Sequence, residues 1–142
     1  MIMIDTFSKK MDGEKHIAPN FKINEFACKD GTDMITIDTD FVINKLQIIR
    51  NYFDKPVTII SGYRTYSHNI KCGGANNSYH LQGRAFDISI NGISPLEIAR
   101  YSELIGIKGI IQYISWTHID SRSNKYFASN INNKTTILNT FI

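Results

Sequence analysis

The period of the apolar residues changes along this chain in an order that few folds accommodate. From Asp38 to Phe53, the residues Phe41, Val42, Leu46, Ile49 and Phe53 recur at spacings of three and four. That is the period of a helix with one buried face. Asp38 or Thr39 caps its start, and Pro56 stands just past its end. Val57 to Ser61 (VTIIS) is then a short β-branched strand. Arg84 to Ile90 (RAFDISI) alternates polar and apolar residues as a strand does, and Asn91-Gly92 supplies the turn after it. Ser94-Pro95-Leu96-Glu97 opens a helix with a capping serine, a proline at the first position and a glutamate to close the capping box. That helix is expected to run to about Ile105 and stop before Gly106. Gly109 to Ile114 and Trp116 to Asp120 read as two strands with a tight connection, an antiparallel pair. Helix, strand, strand, helix, strand, strand predicts an α+β fold with a mainly antiparallel sheet and flanking helices, not a doubly wound α/β fold.

The remaining segments are less periodic. Residues 1–20 are expected as an irregular arm, and residues 21–142 as a single domain, which a chain of 142 residues favours. Phe21, Phe26 and Cys28 can anchor a loop or short strand on the core. Gly62 to Tyr79, rich in Gly, Asn and Ser, reads as a long loop, and a loop of that length inside a compact domain is more often functional than idle. The last twenty residues read as one more strand and a loose end.

Composition excludes several classes of function. An apolar fraction of 42% and a charged fraction of 20% belong to a globular chain, so disorder is excluded for its bulk. A net charge of +3, with the basic residues scattered, suits a polyanionic surface such as a cell wall but does not point to nucleic acid. No stretch is long and apolar enough to span a membrane. The opening MIMIDTFSKKMDGEKH does not read as a secretory signal. Cys28 and Cys72 cannot make a four-cysteine metal site, and both are expected as reduced thiols.

Four histidines occur: His16, His68, His80 and His118. His80 opens the run HLQGRAFD, which puts a carboxylate, Asp87, seven positions on and on a predicted strand. His118 lies on another predicted strand. If the two strands are neighbours, these side chains converge. Two imidazoles and a carboxylate suffice for a catalytic zinc, with a fourth position left for water. On spacing alone, two unrelated histidines remain the competing reading.

The run SGYRTYSHNIKCGGANNSYHLQGRAFDI (Ser61 to Ile88), followed by GIIQYISWTHIDSR (Gly109 to Arg122), resembles the family of zinc D-alanyl-D-alanine carboxypeptidases and L-alanyl-D-glutamate endopeptidases. These are murein peptidases, several of them phage endolysins, and their fold is shared with the signalling domain of hedgehog proteins. FKINEFACKDG and the helix ending LQIIRNYF belong to the same resemblance, which covers residues 20–122. It implies one zinc ion held by His80, Asp87 and His118. It implies that Arg64, in SGYR, binds or polarises the substrate, as a rigid fork of donors can. The competing reading of Arg64 is a salt bridge that staples its loop. Ser78 is expected to line the pocket, and Gly73 and Gly74 to allow a tight turn near the metal. Asp120, two after His118 and on the same side of a strand, is a candidate catalytic group or, better, one that orients a ligand or Arg122.

The pattern departs from the family at the general base. Relatives carry an Asp or Glu three residues before the last zinc histidine, or a histidine two before it, and here those positions hold Ser115 and Trp116. Neither takes a proton near neutral pH. Ser115 can hold a water, and Trp116 can stack on a sugar or peptide, so both are substrate-binding candidates. Asp120, Glu97 or Glu103 is the substitute base to look for. The resemblance implies a zinc peptidase of peptidoglycan stem peptides, made in the cytoplasm. It would act at the wall after lysis release or as part of a phage particle. The alternative is a catalytically impaired, zinc-binding structural or wall-binding component of a virion, in contact with other virion proteins. A signalling module of the hedgehog type is the least favoured.

Overall fold

The computed structural model describes residues 1–142. In chain order the elements are β1 (Ile4–Ser8), α1 (Lys9–Asp12), β2 (His16–Ala18), β3 (Phe21–Lys22), a 3-10 turn (Ile23–Phe26), and β4 (Met34–Asp38). Then come α2 (Thr39–Phe41), a π-helical segment (Val42–Leu46), α3 (Gln47–Phe53), β5 (Val57–Ser61), α4 (Tyr66–Lys71), and a second 3-10 turn (Tyr79–Gln82). The rest are β6 (Ala85–Ile90), α5 (Pro95–Leu104), β7 (Gly109–Gln112), β8 (Thr117–Asp120), β9 (Tyr126–Ile131) and β10 (Lys134–Leu138). This is the α+β architecture expected. Six strands form the main sheet in the order β10-β9-β7-β8-β6-β5, antiparallel at every pair except β7 with β9.

The two faces of that sheet have different jobs, and strand alternation sorts the residues between them. Ile59, Phe86, Ile88, Ile110, Ile119 and Phe127 are buried in the core cluster, which also takes in Phe41, Val42, Leu46 and Ile49 of the first long helix and Ile98 and Ala99 of α5. Phe86 anchors this layer: its ring stacks on Phe41 at 5.4 Å and meets Phe26 edge-on at 5.5 Å. The helix start follows the expected chemistry, because Asp38 accepts a hydrogen bond from the Phe41 amide at 3.2 Å. Ser94 caps α5 in the same way, through the Glu97 amide at 3.1 Å.

The opposite face carries one row of paired residues across five strands. Ser61 opposes Asp87, Asp87 opposes His118, His118 opposes Ile111, and Ile111 opposes Ala128. A register shift between Ile59 and Ser61 turns Ser61 onto this face.

Four expectations need correction. The chain before residue 21 is not an irregular arm: β1 pairs along its whole length with β4, from Ile4 opposite Asp38 to Ser8 opposite Met34. Its short IDTFS pattern carries too little apolar period to show this alone. The helix from residue 39 to 53 is interrupted by the π-helical turn at Val42–Leu46, where the Gln47 amide reaches back to the Val42 carbonyl. The segment 62–79 contains α4, capped by Thr65, whose hydroxyl accepts from the His68 amide at 3.2 Å. The final twenty residues form a hairpin of two strands, with Asn132 and Asn133 at φ 52° and 62° in its turn.

Gly83 ends the turn that carries His80, at φ +70°. A Cβ there would strike the Thr36 carbonyl in β4. Gly83→Ala is therefore expected to cost about 3 kcal/mol of unfolding free energy, from left-handed strain plus the clash. Urea denaturation measures it, and a loss under about 1 kcal/mol would show that the turn relaxes freely.

Candidate metal centre

Asp87 and His118 face each other across β6 and β8, so the sheet register brings them together. His80 reaches the same point from the 3-10 turn that precedes β6. One ligating atom from each of the three lies within 4.8 Å of the others, and all three residues are buried. His118 Nδ1 is 3.0 Å from Asp87 Oδ1, and His80 Nε2 is 3.3 Å from Asp87 Oδ2.

Each of these groups is held from behind. His80 Nδ1 donates to the Gly62 carbonyl at 2.7 Å, which leaves Nε2 free as a lone-pair donor. His118 Nε2 donates to Asp120 Oδ2 at 2.8 Å, so Nδ1, on the Asp87 side, is the nitrogen offered to a metal once it gives up its proton. Asp87 is steadied by Arg64 Nη2 at 3.2 Å. Ser78 caps the turn by accepting from the His80 amide at 3.2 Å, so its hydroxyl positions His80 as well as lining the cavity.

Arg64 makes the salt bridge of its competing reading, to Asp87, and staples its loop. Its Nε donates to Ser61 and its Nη1 to Asn69, a buried side chain that also holds the Ala75 carbonyl. Three of its five N–H donors are thus used in binding Ser61, Asn69 and Asp87, and two remain for another ligand. Gly74 sits so close to Asn69 that a Cβ would collide with its amide.

Asp120 stands behind His118, fully buried and outside the cavity lining. Arg122 grips it with two bonds, Nε to Oδ1 at 2.8 Å and Nη2 to Oδ2 at 2.7 Å. The guanidinium of Arg122 lies between the rings of Tyr79 and Tyr126, at 4.8 Å from each. Asp120 is therefore placed to orient both His118 and Arg122, and its burial away from the cavity corrects the expectation of a catalytic group there. Gly109 opposes it in register, and a Cβ on Gly109 would occupy the space of its carboxylate.

Charge follows this geometry. Burial opposes ionised Asp87 and ionised Asp120. The imidazoles of His118 and His80 beside Asp87, and His118 with Arg122 beside Asp120, nevertheless hold both carboxyls well below the usual range. Burial also opposes a charged His118, but Asp120 and Asp87 more than offset it and raise its pKa to about 9. Tyr113 is pushed up by burial and by the charge of Asp87.

The centre opens into a cavity of about 800 Å³. Trp116 lines it, stacked on Tyr113 at 4.6 Å. Ser115 does not: it is exposed, on the turn between β7 and β8, so its expected role at the site is not supported. Glu97 is exposed on α5, and Glu103 binds the Phe141 amide and the Thr140 hydroxyl. Neither lines the cavity, and Asp87 is its one carboxylate. Cys28 is buried and Cys72 exposed, both as free thiols. Three contributors were missed from sequence: Tyr113, Asn69 and Tyr126. Tyr113 was findable, since it lies two after Ile111 within the predicted strand Gly109 to Ile114.

Two outcomes follow from these contacts. Below about pH 9 a metal ion must displace the proton that Asp87 and Asp120 stabilise on His118. Apparent affinity should therefore rise with pH up to that value, with close to one proton released per ion near neutrality. Calorimetry in buffers of different ionisation enthalpy reads the proton count, and none released would refute the assignment. Gly109→Ala should displace Asp120 from His118 and weaken metal binding by about 10- to 100-fold, measured by competition with a chelating dye.

The sequence profile of the peptidase M15 family matches residues 19–120. Similarity also extends to the zinc D-Ala-D-Ala carboxypeptidase of Streptomyces albus G, at 28% identity over 92 residues, which is 60% of this chain and 36% of that protein. The peptidoglycan L,D-endopeptidase MepK of Escherichia coli strain K12 is 38% identical over 74 residues, 47% of this chain and 41% of that protein. The chain thus aligns with well under half the length of these two relatives. With the profile covering most of its length and the three converging side chains inside the matched span, the chain belongs to the peptidase M15 family.

Proposed function

We propose that this protein is a zinc-dependent peptidase that cuts peptidoglycan stem peptides, as a D-Ala-D-Ala carboxypeptidase or an L-Ala-D-Glu endopeptidase. The observation that carries the reading is the convergence of His80, Asp87 and His118 at the floor of a roomy cavity, each oriented by a partner behind it. Two imidazole nitrogens and a carboxylate oxygen are the donor set of a catalytic zinc, and one ion fits them. When bound, zinc supplies a Lewis acid and makes a hydroxide available near neutral pH.

The protein's own groups account for binding and charge. Arg64, with two donors left, can hold a substrate carboxylate or a developing oxyanion. Tyr113 remains protonated at neutral pH, so it can donate to a carbonyl or a leaving amine but cannot remove a proton. Residues 21–142 are read as one peptidase domain, completed by β1 against β4. The motif run Ser61 to Ile88 supports a fold of the hedgehog and D-Ala-D-Ala carboxypeptidase type. Resemblance to endolysins supports action at the cell wall after lysis or on a phage particle.

A second reading is favoured by one observation: the cavity holds no carboxylate besides Asp87 to act as base. On that reading the domain binds zinc and peptidoglycan without cutting, as a structural or wall-binding virion component. Digestion of purified muropeptides by the zinc-loaded protein, followed by mass spectrometry, separates the two. The peptidase reading expects a new product mass that disappears with His80→Ala and with a chelator. Arg64→Ala should lower kcat/KM by roughly 100-fold. Intact muropeptides after long incubation, with one zinc bound per chain, would establish the second reading instead.

A further inference from the structure

The cavity is wider than three metal-binding groups and one peptide bond require, and its far wall comes from outside the span that matches the family profile. That span ends at residue 120, whereas β9 and β10 follow it. β7 ends at Gln112 opposite Ser129, so the tip of the hairpin overhangs the end of β7. The turn after β7 carries Tyr113 and Trp116 to the same end of the sheet. Asn130, Asn132 and Asn133 from the hairpin, Tyr126 at its base, and the stacked pair Tyr113 and Trp116 all line the cavity.

The hairpin is fixed in place. Phe127 is buried against Phe141 at 5.4 Å, and Tyr126 packs on Arg122. The charge of Arg122 is already matched by Asp120. The wall therefore presents no unmatched charge, only side-chain amides that both donate and accept, beside a flat aromatic pair lying within 16° of parallel. That chemistry suits hydroxyls, an acetamido group and the C–H face of a sugar ring. It offers no charged partner to the free carboxylates and amines of a stem peptide.

We propose that the C-terminal hairpin and the Tyr113–Trp116 pair form a subsite for the N-acetylated amino sugar that carries the stem peptide, so that the bond cut lies near the root of the stem. This inference rests on the peptidoglycan reading of the metal centre. Trp116 is the only tryptophan in the chain, so its fluorescence reports on this wall directly.

The test is a fluorescence titration of the zinc-loaded protein with an N-acetylmuramyl dipeptide and with the same dipeptide lacking the sugar. Asn132 and Asn133 both have positive φ, so Asn132→Gly/Asn133→Gly removes the amides and keeps the turn. Asn130→Ala, which gives up only a bond to Thr135, is the second variant. Wild type should bind the sugar-bearing ligand about tenfold more tightly, and the double variant should reduce that ratio to about twofold or less. Equal affinity for the two ligands, no binding of the muramyl form at millimolar concentration, or a preference that survives both variants would overturn the subsite. Equal affinity would give the wall to the peptide. Cleavage of muropeptides is scored separately. A sugar preference without cleavage leaves the subsite standing and removes the peptidase, and cleavage without a sugar preference does the reverse.

Discussion

Asp87 faces His118 across two antiparallel strands, and the whole site is arranged around that one cross-strand pair. An antiparallel register leaves no freedom once one face of the sheet is buried, since a slip of one residue would send Asp87 into the core and Phe86 into the cavity. The core therefore enforces the site. Phe86 and Ile119, packed on the helical side, hold the register that sets Asp87 against His118 on the other. His80 is added by a capped turn, and its position depends on Gly62, Ser78 and Gly83.

Such an arrangement buries charge, which is costly unless each charge is matched. Asp87 has Arg64, and Asp120 has Arg122, each with its partner at hydrogen-bond distance. The two carboxylates in turn favour a positive charge between them. In the metal-free protein that charge is the proton on His118, and a bound cation would take its place. The site is thus electrostatically prepared for a cation, while Gly62 and Asp120 settle which imidazole nitrogen is offered to it. The same economy explains small residues nearby. Gly109 is a glycine because the carboxylate of Asp120 fills the space its side chain would need.

Beyond the metal-binding groups the cavity is made by loops and by the hairpin. Arg64 is locked by Ser61 and Asn69, and Asn69 also holds the segment through Ala75, so α4 and its flanks form a rigid rim. The ladder of Arg84, Tyr79, Arg122 and Tyr126 ties the turn carrying His80 to β9. The hairpin wall of the cavity and the turn that carries His80 are therefore joined through one row of stacked side chains.

Much of this was legible in the chain itself. The helical spacing of Phe41 to Phe53, the alternation in RAFDISI and the Ser94-Pro95 start are local signals, because they come from backbone periods and caps that need no distant partner. The candidate metal-binding groups were legible only in part: spacing in HLQGRAFD and the late histidine left two unrelated histidines open, and the resemblance of the surrounding motifs selected His80, Asp87 and His118. Pairing was not. β1 is recognisable only beside β4, and the terminal hairpin only beside β7, because short polar strands gain their stability from the edge they join. The same limit governs the residues around the site. Asp120 and Ser115 look alike in sequence, each a few positions from His118. Only the fold sets one carboxylate behind the imidazole and turns one hydroxyl out to solvent, because that choice belongs to the sheet register and the turn that closes it.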